Sequence, residues 1–94
     1  MYSYEWRKYL NNEQKTEVKE AFFIFDRKKE NRLYFEDVKP AFMALGFDLS
    51  QEDIARIINN YKKICPDVNY FIVDNFLDIV GMRFVKILLL IILL

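Results

Sequence analysis

The chain has 94 residues, of which 53% are hydrophobic and 17% aromatic, and this composition argues against disorder. The length provides one domain with a modest core. Basic and acidic side chains balance at 14 each, so no excess of positive charge favours nucleic acid as a partner. Only two Gly and two Pro are present, too few for the tight turns of a β-sandwich or barrel, so a mostly helical fold is favoured.

The residue inventory offers no catalytic constellation. His, the commonest general base and zinc ligand, is absent. No glycine-rich phosphate loop, nucleophile elbow or C-x-x-C pair occurs. The single Cys65 rules out an internal disulfide framework and is compatible with a reducing compartment. We interpret it as a small apolar loop residue, with a reactive thiol as the alternative. The chain is not expected to be an enzyme.

Residues 1–11 are predicted to form an aromatic N-terminal arm. Tyr2, Trp6 and Tyr9 would share one face if this arm is helical. The arm either folds back on the domain core or serves as an aromatic anchor for a partner. A frayed end is the third interpretation.

Four helices are predicted after the arm. Asn11 and Gln14 match a capping box at the start of the first helix, which should run over residues 12–25. Gly46 stands where the second helix needs a residue of left-handed conformation at its end. Ser50 is the expected N-cap of the third helix.

The apolar positions of these helices repeat along the chain. The quartet of the first helix begins at Val18 and recurs in the third from Ile54, 36 residues later. Three apolar positions of the second helix, beginning at Val38, recur in the fourth from Phe76, 38 residues later. A single helix–loop–helix unit cannot bury its apolar face alone, so the two units should pack face to face. The fourth helix should begin near Val73.

Several segments resemble calmodulin and centrin. Residues 10–26 read LNNEQKTEVKEAFFIFD, which is similar to the capped helix that leads into the first calcium loop of that family. Residues 44–50 read ALGFDLS and resemble the centrin linker between two hands. The second hand is matched by IINNY at 57–61 and NFLDIV at 75–80. The resemblance covers about residues 10–82.

This resemblance implies an all-α fold, an EF-hand pair of four helices with a short β-bridge between its two loops. The pair would span residues 12–82, with hand one at 12–46 and hand two at 50–82. Leu33 and Phe71 are expected to face each other in the bridge.

The first loop runs from Asp26 to Asp37 and departs from the calcium pattern. The resemblance implies Ca²⁺ or Mg²⁺ ligands at Asp26, Glu30, the Arg32 carbonyl and Asp37. Lys28 occupies the third loop position, where an ammonium group cannot ligate a cation. The loop carries four basic and four acidic side chains. Affinity rises with ligand charge, so we expect very weak binding or none.

Three further features bear on whether the two loops bind a metal ion. Asn31 replaces the usual glycine at the sixth position, although Asn tolerates the left-handed conformation needed there. Pro40 would disrupt a helix that began near Phe35, so the second helix should start later, with Asp37 capping it instead of ligating. The second loop is two residues longer than the first, and neither register of it provides a cation site.

The leading hypothesis is a protein-interaction module that binds an amphipathic helix of a partner with weak or no calcium dependence. A calcium sensor or buffer that uses the first loop alone is the alternative. The resemblance implies a cytoplasmic, cytoskeletal or centriolar and ciliary setting. The partner groove is predicted to be lined by Phe22, Phe25, Phe42, Met43, Ile58, Phe76 and Met82.

Residues 83–94 form an apolar C-terminal tail that ends in eight consecutive aliphatic side chains, residues 87–94. Eight helical residues span about 12 Å, well short of the ~30 Å hydrocarbon core of a bilayer. We therefore expect the tail to pack on the core or on a partner, and one hypothesis places it in the domain's own groove. Membrane contact is the less favoured alternative.

Overall fold

The computed structural model describes residues 6–93 of the chain. Helices dominate it, and one two-stranded antiparallel sheet joins the loops, which confirms the predicted fold class. Tyr2 of the predicted aromatic face lies outside the described residues. The elements in chain order are a 3₁₀ helix (Trp6–Tyr9), α1 (Asn12–Phe25), β1 (Leu33–Tyr34), a second 3₁₀ helix (Phe35–Asp37), α2 (Val38–Ala44), α3 (Gln51–Lys62), β2 (Tyr70–Phe71) and α4 (Val73–Leu93).

Side-chain caps set the starts of α1 and α3. The Gln14 amide N–H donates to Asn11 Oδ1, and the Asn11 N–H donates to Gln14 Oε1, each at 2.8 Å. At α3 the Asp53 N–H donates to Ser50 Oγ at 3.1 Å. Both caps satisfy amide groups that lack an intrahelical acceptor, and both confirm the predicted helix starts.

The end of α2 is a Schellman motif around Gly46. This glycine has φ +87°, a conformation that L side chains rarely adopt. Its N–H donates to the Met43 carbonyl and the Phe47 N–H donates to the Phe42 carbonyl, each at 3.0 Å. These are the two bonds that close such a motif, so the predicted role of Gly46 is confirmed.

The start of α2 confirms one expectation and corrects another. The helix begins at Val38, and Pro40 is its third residue, where no intrahelical donor is required. Residues 35–37 precede it as a 3₁₀ turn. Asp37 stands at the N-cap position but its side chain caps nothing. The prediction that it caps α2 is therefore wrong, because Asp37 has helical backbone angles (φ −100°, ψ −1°) instead of the extended ones of a capping residue. Its carboxylate pairs with Arg27 of the same loop.

The two loops meet in the predicted bridge. Leu33 faces Phe71 and Tyr34 faces Tyr70 in an antiparallel pair. The two tyrosine rings pack edge to face with centroids 6.0 Å apart. The Arg32 guanidinium lies 4.5 Å from the centre of the Tyr70 ring, a cation–π contact. These side-chain contacts on the outer face of the sheet therefore stabilise the short strand pair in addition to its backbone hydrogen bonds.

An aromatic core joins the two hands. Phe22, Phe42, Phe71 and Phe76 are completely buried. The ring of Phe76 on α4 lies 6.0 Å from that of Phe22 on α1 and 5.3 Å from that of Phe42 on α2. One helix of hand two therefore closes the core of hand one, which is the face-to-face packing that the repeat predicted.

The described part of the arm packs on α4, which confirms that it folds back on the domain. Arg7 binds the buried carboxylate of Asp78 through its backbone N–H, its Nε and its Nη2, each at 3.0 Å. Its Nη1 also lies 3.2 Å from Asp74. Leu10 inserts into the core beside this pair. The arm is thus held by both a charged pair and apolar burial.

Gly81 allows the arm to approach α4 closely. A Cβ atom at this position would lie 2.7 Å from the carbonyl carbon of Trp6 and closer still to its oxygen. The obstructing atoms belong to the backbone and cannot rotate away. Any residue other than glycine would therefore push the arm off the helix.

The tail continues α4 without a break and does not return to the domain. The exposure of its side chains rises from 39% at Ile87 to 81% at Leu93. The hypothesis that the tail occupies the domain's own groove is therefore wrong. No helix among residues 6–93 is long and apolar enough to cross a membrane.

Candidate functional site

The first loop is organised around Asp26. Its side chain is almost completely buried and accepts the backbone N–H of Glu30 on Oδ1 at 3.1 Å and that of Asn31 on Oδ2 at 2.9 Å. Its carbonyl accepts the Lys29 N–H at 3.1 Å. Lys29 and Asn31 both have positive φ, which coils the loop around this carboxylate. The loop thus holds its shape with groups of its own.

Two cations of the loop contact oxygen atoms of the protein itself, one in the loop and one at the end of α1. Arg27 Nη2 lies 3.4 Å from Asp37 Oδ1 and forms the ion pair that replaces the predicted helix cap. Lys29 Nζ donates to the Phe23 carbonyl at 2.9 Å. Since Arg27 is largely exposed, this pair is weak and a stronger cation could displace it.

Asn31 ties the first loop to hand two. Its φ of 61° confirms the left-handed conformation predicted at the glycine position. Its Oδ1 accepts the Val73 N–H at 2.9 Å. Val73 is the first residue of α4, whose amide has no intrahelical acceptor. Asn31 therefore caps a helix of the other hand, a role that glycine could not perform.

We expect Asn31→Gly to lower the free energy of unfolding by about 1 kcal/mol, although glycine adopts positive φ more easily. The loss arises from the Val73 amide, which no longer has a side-chain acceptor. Asn31→Asp is the matched control, because it keeps an oxygen in the same place and should stay near the wild-type value. Urea denaturation measures both, and a Gly variant at least as stable as wild type contradicts the inter-hand cap.

The predicted metal ligands surround one cleft of about 410 Å³. Asp26, Glu30, Arg32 and Asp37 all line it, together with Asn69 of the second loop. Across residues 6–93, however, no three His, Cys, Asp or Glu side chains lie close enough together to hold a metal ion. Each oxygen of Asp26 keeps a second lone pair, so its hydrogen bonds do not by themselves prevent coordination. The donor set fits a metal poorly, and the ligand assignment stays a prediction.

The second loop uses its last polar residue for structure. Asn75 occupies the final loop position when the loop is aligned on its end. Its Oδ1 accepts the Ile72 N–H at 3.1 Å and the Tyr61 hydroxyl at 3.4 Å. Asn75 therefore caps α4 and joins it to α3. The sequence signal was weak, since the usual capping box has Ser or Thr at the N-cap and Glu or Gln three residues later, not Ile72 and Asn75.

The residues predicted to line the partner groove fall into two groups. Phe22, Phe42 and Phe76 are completely buried in the core of this conformation. A partner could reach them only if the helices separated. Met43 is exposed, while three others lie partly open at the surface. The partly open residues are Phe25, Ile58 and Met82.

An open apolar notch of about 90 Å³ lies between α3 and α4. Ile57, Ile79 and Met82 contribute its apolar wall. Ile57 and Ile79 were absent from the predicted groove, because helical spacing places them in the core of the repeat. The notch shows instead that α3 leaves part of α4 uncovered.

The rim of this notch is cationic. Arg83 and Arg56 lie 3.4 Å and 3.6 Å from the two oxygens of Asp53, and Lys86 lies one turn along α4. Burial raises the pKa of Asp53, but hydrogen bonds from Ser50 and the two guanidinium groups outweigh it, so the pKa is lowered. Asp53 is therefore charged at neutral pH, and three cations face one carboxylate.

Comparison with known proteins identifies the helix–loop–helix pair. Human Centrin-3 is 39% identical over 57 residues, which cover 61% of this chain and 34% of the relative. Cell division control protein 31 of Saccharomyces cerevisiae is 32% identical over 77 residues, 82% of this chain and 47% of the relative. The chain is a centrin-like member of the EF-hand superfamily. No protein-family profile matches it.

A solved structure carries the same fold. One chain of the structure titled "Chaetomium theromophilum TREX2 CID domain complex" superposes with a TM-score of 0.67 at 30% identity. The superposition covers 83% of this EF-hand chain and 52% of that chain. This chain thus spans about a third to a half of the length of these relatives.

Proposed function

We propose that this EF-hand pair is a non-enzymatic interaction module that binds an amphipathic helix of a partner protein without requiring calcium. The observation that carries the proposal is the apolar notch between α3 and α4 with its cationic rim. A helix with an apolar stripe would insert an anchor side chain beside Ile57 and Met82. Acidic residues flanking that stripe would meet Arg56 and Arg83.

Independence from calcium is supported by the first loop. The backbone N–H groups on Asp26 and the Asn31–Val73 hydrogen bond connect the loop to both hands without an ion. A ligand changes a conformational equilibrium only through different affinities for the two states. The loop is already closed by its own groups when no metal is bound. A metal ion would therefore bind nearly the same conformation in both states and would change the conformational equilibrium little.

The relatives of the chain bear on its location in the cell. Centrins, caltractins and Cdc31 proteins are the relatives of this chain, which supports a cytoskeletal location. We assign residues 12–46 and 50–82 to the two hands and treat residues 83–94 as an extension of α4. Of the predicted groove residues, Met82 lines the notch, whereas Phe25 lines the cleft of the first loop. Met43 is exposed and Ile58 is partly exposed.

The test uses two designed helical peptides. Both carry Leu at i, i+3, i+4 and i+7, one with Glu and the other with Lys beside the stripe. We expect the Glu peptide to bind the full chain equally well in calcium and in chelator, and the Lys peptide to bind more weakly. Ile57→Asp should weaken binding by roughly tenfold or more, because it places a charge in the notch. Calorimetry measures all of these affinities.

Ile24→Asp is the matched control for the peptide experiment. Ile24 is an exposed apolar residue on α1, outside the notch. The same change there should leave peptide affinity unaltered. Failure of both peptides to bind contradicts the interaction module. Binding that disappears on chelation contradicts calcium independence alone.

A calcium sensor or buffer based on the first loop is the second candidate. It is favoured by one observation, the cleft that Asp26, Glu30, Asp37 and Arg32 share. Binding there requires calcium to displace Arg27 from Asp37 and to tolerate Lys28. An affinity near the weak end of the EF-hand range is expected at best.

A calcium titration followed by amide NMR tests the second candidate. For the wild-type chain we expect no saturable shift in residues 26–37 at millimolar calcium. Lys28→Asp adds a carboxylate at the third loop position and removes a repelling charge, so its affinity should exceed the wild-type value by roughly tenfold or more. Lys19→Asp makes the same charge change on α1 and should bind no tighter. Saturation of the wild-type loop at micromolar calcium would establish the sensor instead.

A further inference from the structure

The end of α4 is apolar around its whole circumference. Successive helical residues are rotated by about 100°, so the seven residues from Ile87 to Leu93 point in every direction around the axis. All seven are exposed, and the exposed fraction increases along the segment. We call Ile87–Leu93 the apolar peg. It continues α4 as a helix with no polar face, and one side of it lines an open cleft of about 650 Å³ together with residues 46–49.

A groove on a partner protein would not cover this peg. A bound amphipathic helix hides one stripe of its surface and keeps the opposite face in water. A helix that is apolar on all sides is stable only where an apolar medium surrounds it, in a large core or in lipid. The peg therefore differs in kind from the notch between α3 and α4, and this inference does not rest on the proposed function.

Charges at the base of the peg favour an anionic surface. Lys86 is exposed immediately before the peg, and Arg83 lies one turn earlier. Together with Arg56 they outnumber the nearby carboxylates of Asp53 and Asp48 by one. Bundling the pegs of several copies would bring these cations together, which costs free energy. Anionic lipid headgroups would instead attract them.

The seven described residues of the peg reach no further than one leaflet of a bilayer. Seven helical residues extend about 10 Å, whereas one leaflet provides about 15 Å of the ~30 Å hydrocarbon core. Lys86 and Arg83 would then lie at headgroup level, with their aliphatic stems directed along the helix.

We propose that the apolar peg Ile87–Leu93 inserts end-on into a single leaflet of a lipid surface, with Lys86 and Arg83 bound among anionic headgroups. The chain would thereby hold its EF-hand pair at a membrane.

Co-sedimentation of the full chain with vesicles tests the proposal. We expect binding to neutral phosphatidylcholine vesicles, and binding roughly fivefold tighter per basic residue when phosphatidylserine is added at low salt. Leu90→Asp should weaken both by roughly tenfold or more, because it carries a charge into hydrocarbon. Lys86→Ala should reduce only the preference for anionic vesicles.

Ile24→Asp is again the control, since Ile24 is 68% exposed and Leu90 is 65% exposed. It should bind vesicles as wild type does. Leu90 projects from the domain, so Leu90→Asp should keep the wild-type unfolding curve. Ile91→Trp adds a reporter whose fluorescence should be quenched by lipids brominated on their acyl chains.

Three results would overturn the proposal. The first is no sedimentation with either vesicle. The second is equal loss of binding in Ile24→Asp and Leu90→Asp. The third is a stable dimer by analytical ultracentrifugation that does not enter vesicles, which would assign the peg to a second copy of the chain.

Discussion

Arg7→Ala is expected to lower the free energy of unfolding by about 2–3 kcal/mol. It leaves the carboxylate of Asp78, only 5% exposed, without its bidentate partner. Breaking a fully buried pair costs about 3–5 kcal/mol, and the 32% exposure of Arg7 reduces that figure. The hydrogen bonds and charge of Asp78 raise the pKa of Arg7, so the guanidinium remains charged at any pH at which the fold is tested.

Urea denaturation measures the loss, and Trp6 reports the position of the arm because it is the chain's single tryptophan. Its emission should shift to the red in Arg7→Ala as the arm leaves α4. Lys8→Ala removes the same charge from the neighbouring exposed position and should change stability by less than about 0.5 kcal/mol. A double variant, Arg7→Ala with Asp78→Leu, should recover most of the loss. Equal effects of Arg7→Ala and Lys8→Ala would show that the pair is unimportant.

Gly81→Ala is expected to destabilise the domain by about 2 kcal/mol. Replacing a glycine inside a helix by alanine usually has the opposite effect and stabilises the protein. Alanine favours a helix by about 1 kcal/mol, but its Cβ would collide with the Trp6 carbonyl group. The arm must therefore move away from α4. Because Arg7 lies on the arm, this movement also strains its contact with Asp78. Thermal unfolding and Trp6 emission should therefore both change.

The sign of the Gly81→Ala effect should depend on the arm. In the Arg7→Ala background the arm is already weakened, so the collision costs little and the helical gain of up to about 1 kcal/mol should remain. The two changes are therefore strongly non-additive. If Gly81→Ala stabilises the wild-type chain as well, the close approach of Trp6 to α4 does not occur in solution.

Local sequence patterns predicted the elements of the fold well. The capping box at Asn11, the cap at Ser50 and the turn at Gly46 each depend on residues within a few positions of one another. Hydrogen bonds of this range form wherever the local sequence allows them. The start of α4 at Val73 and the pairing of Leu33 with Phe71 followed from the repeat.

The candidate site was less predictable, because its polar groups have alternative partners at similar distance. Asp37 could have capped α2 or ligated a metal, but it pairs with Arg27. Asn31 was expected for its backbone conformation, and its side chain proved to cap α4. A residue type states which bonds a side chain can make, but the neighbour that it meets depends on the folded chain.

The sequence alone determined the helices, the caps of α1 and α3 and the paired loops, since periodicity and turn chemistry are local properties. The weak metal affinity of the first loop stays a prediction. Tertiary structure decided the position of the arm, where Arg7 meets Asp78 across 71 residues, and the cap between Asn31 and Val73 across 42 residues. It also decided that the tail projects from the domain. These outcomes depend on how distant segments pack, because a buried carboxylate or an orphan amide is stabilised by whichever group the fold brings within reach.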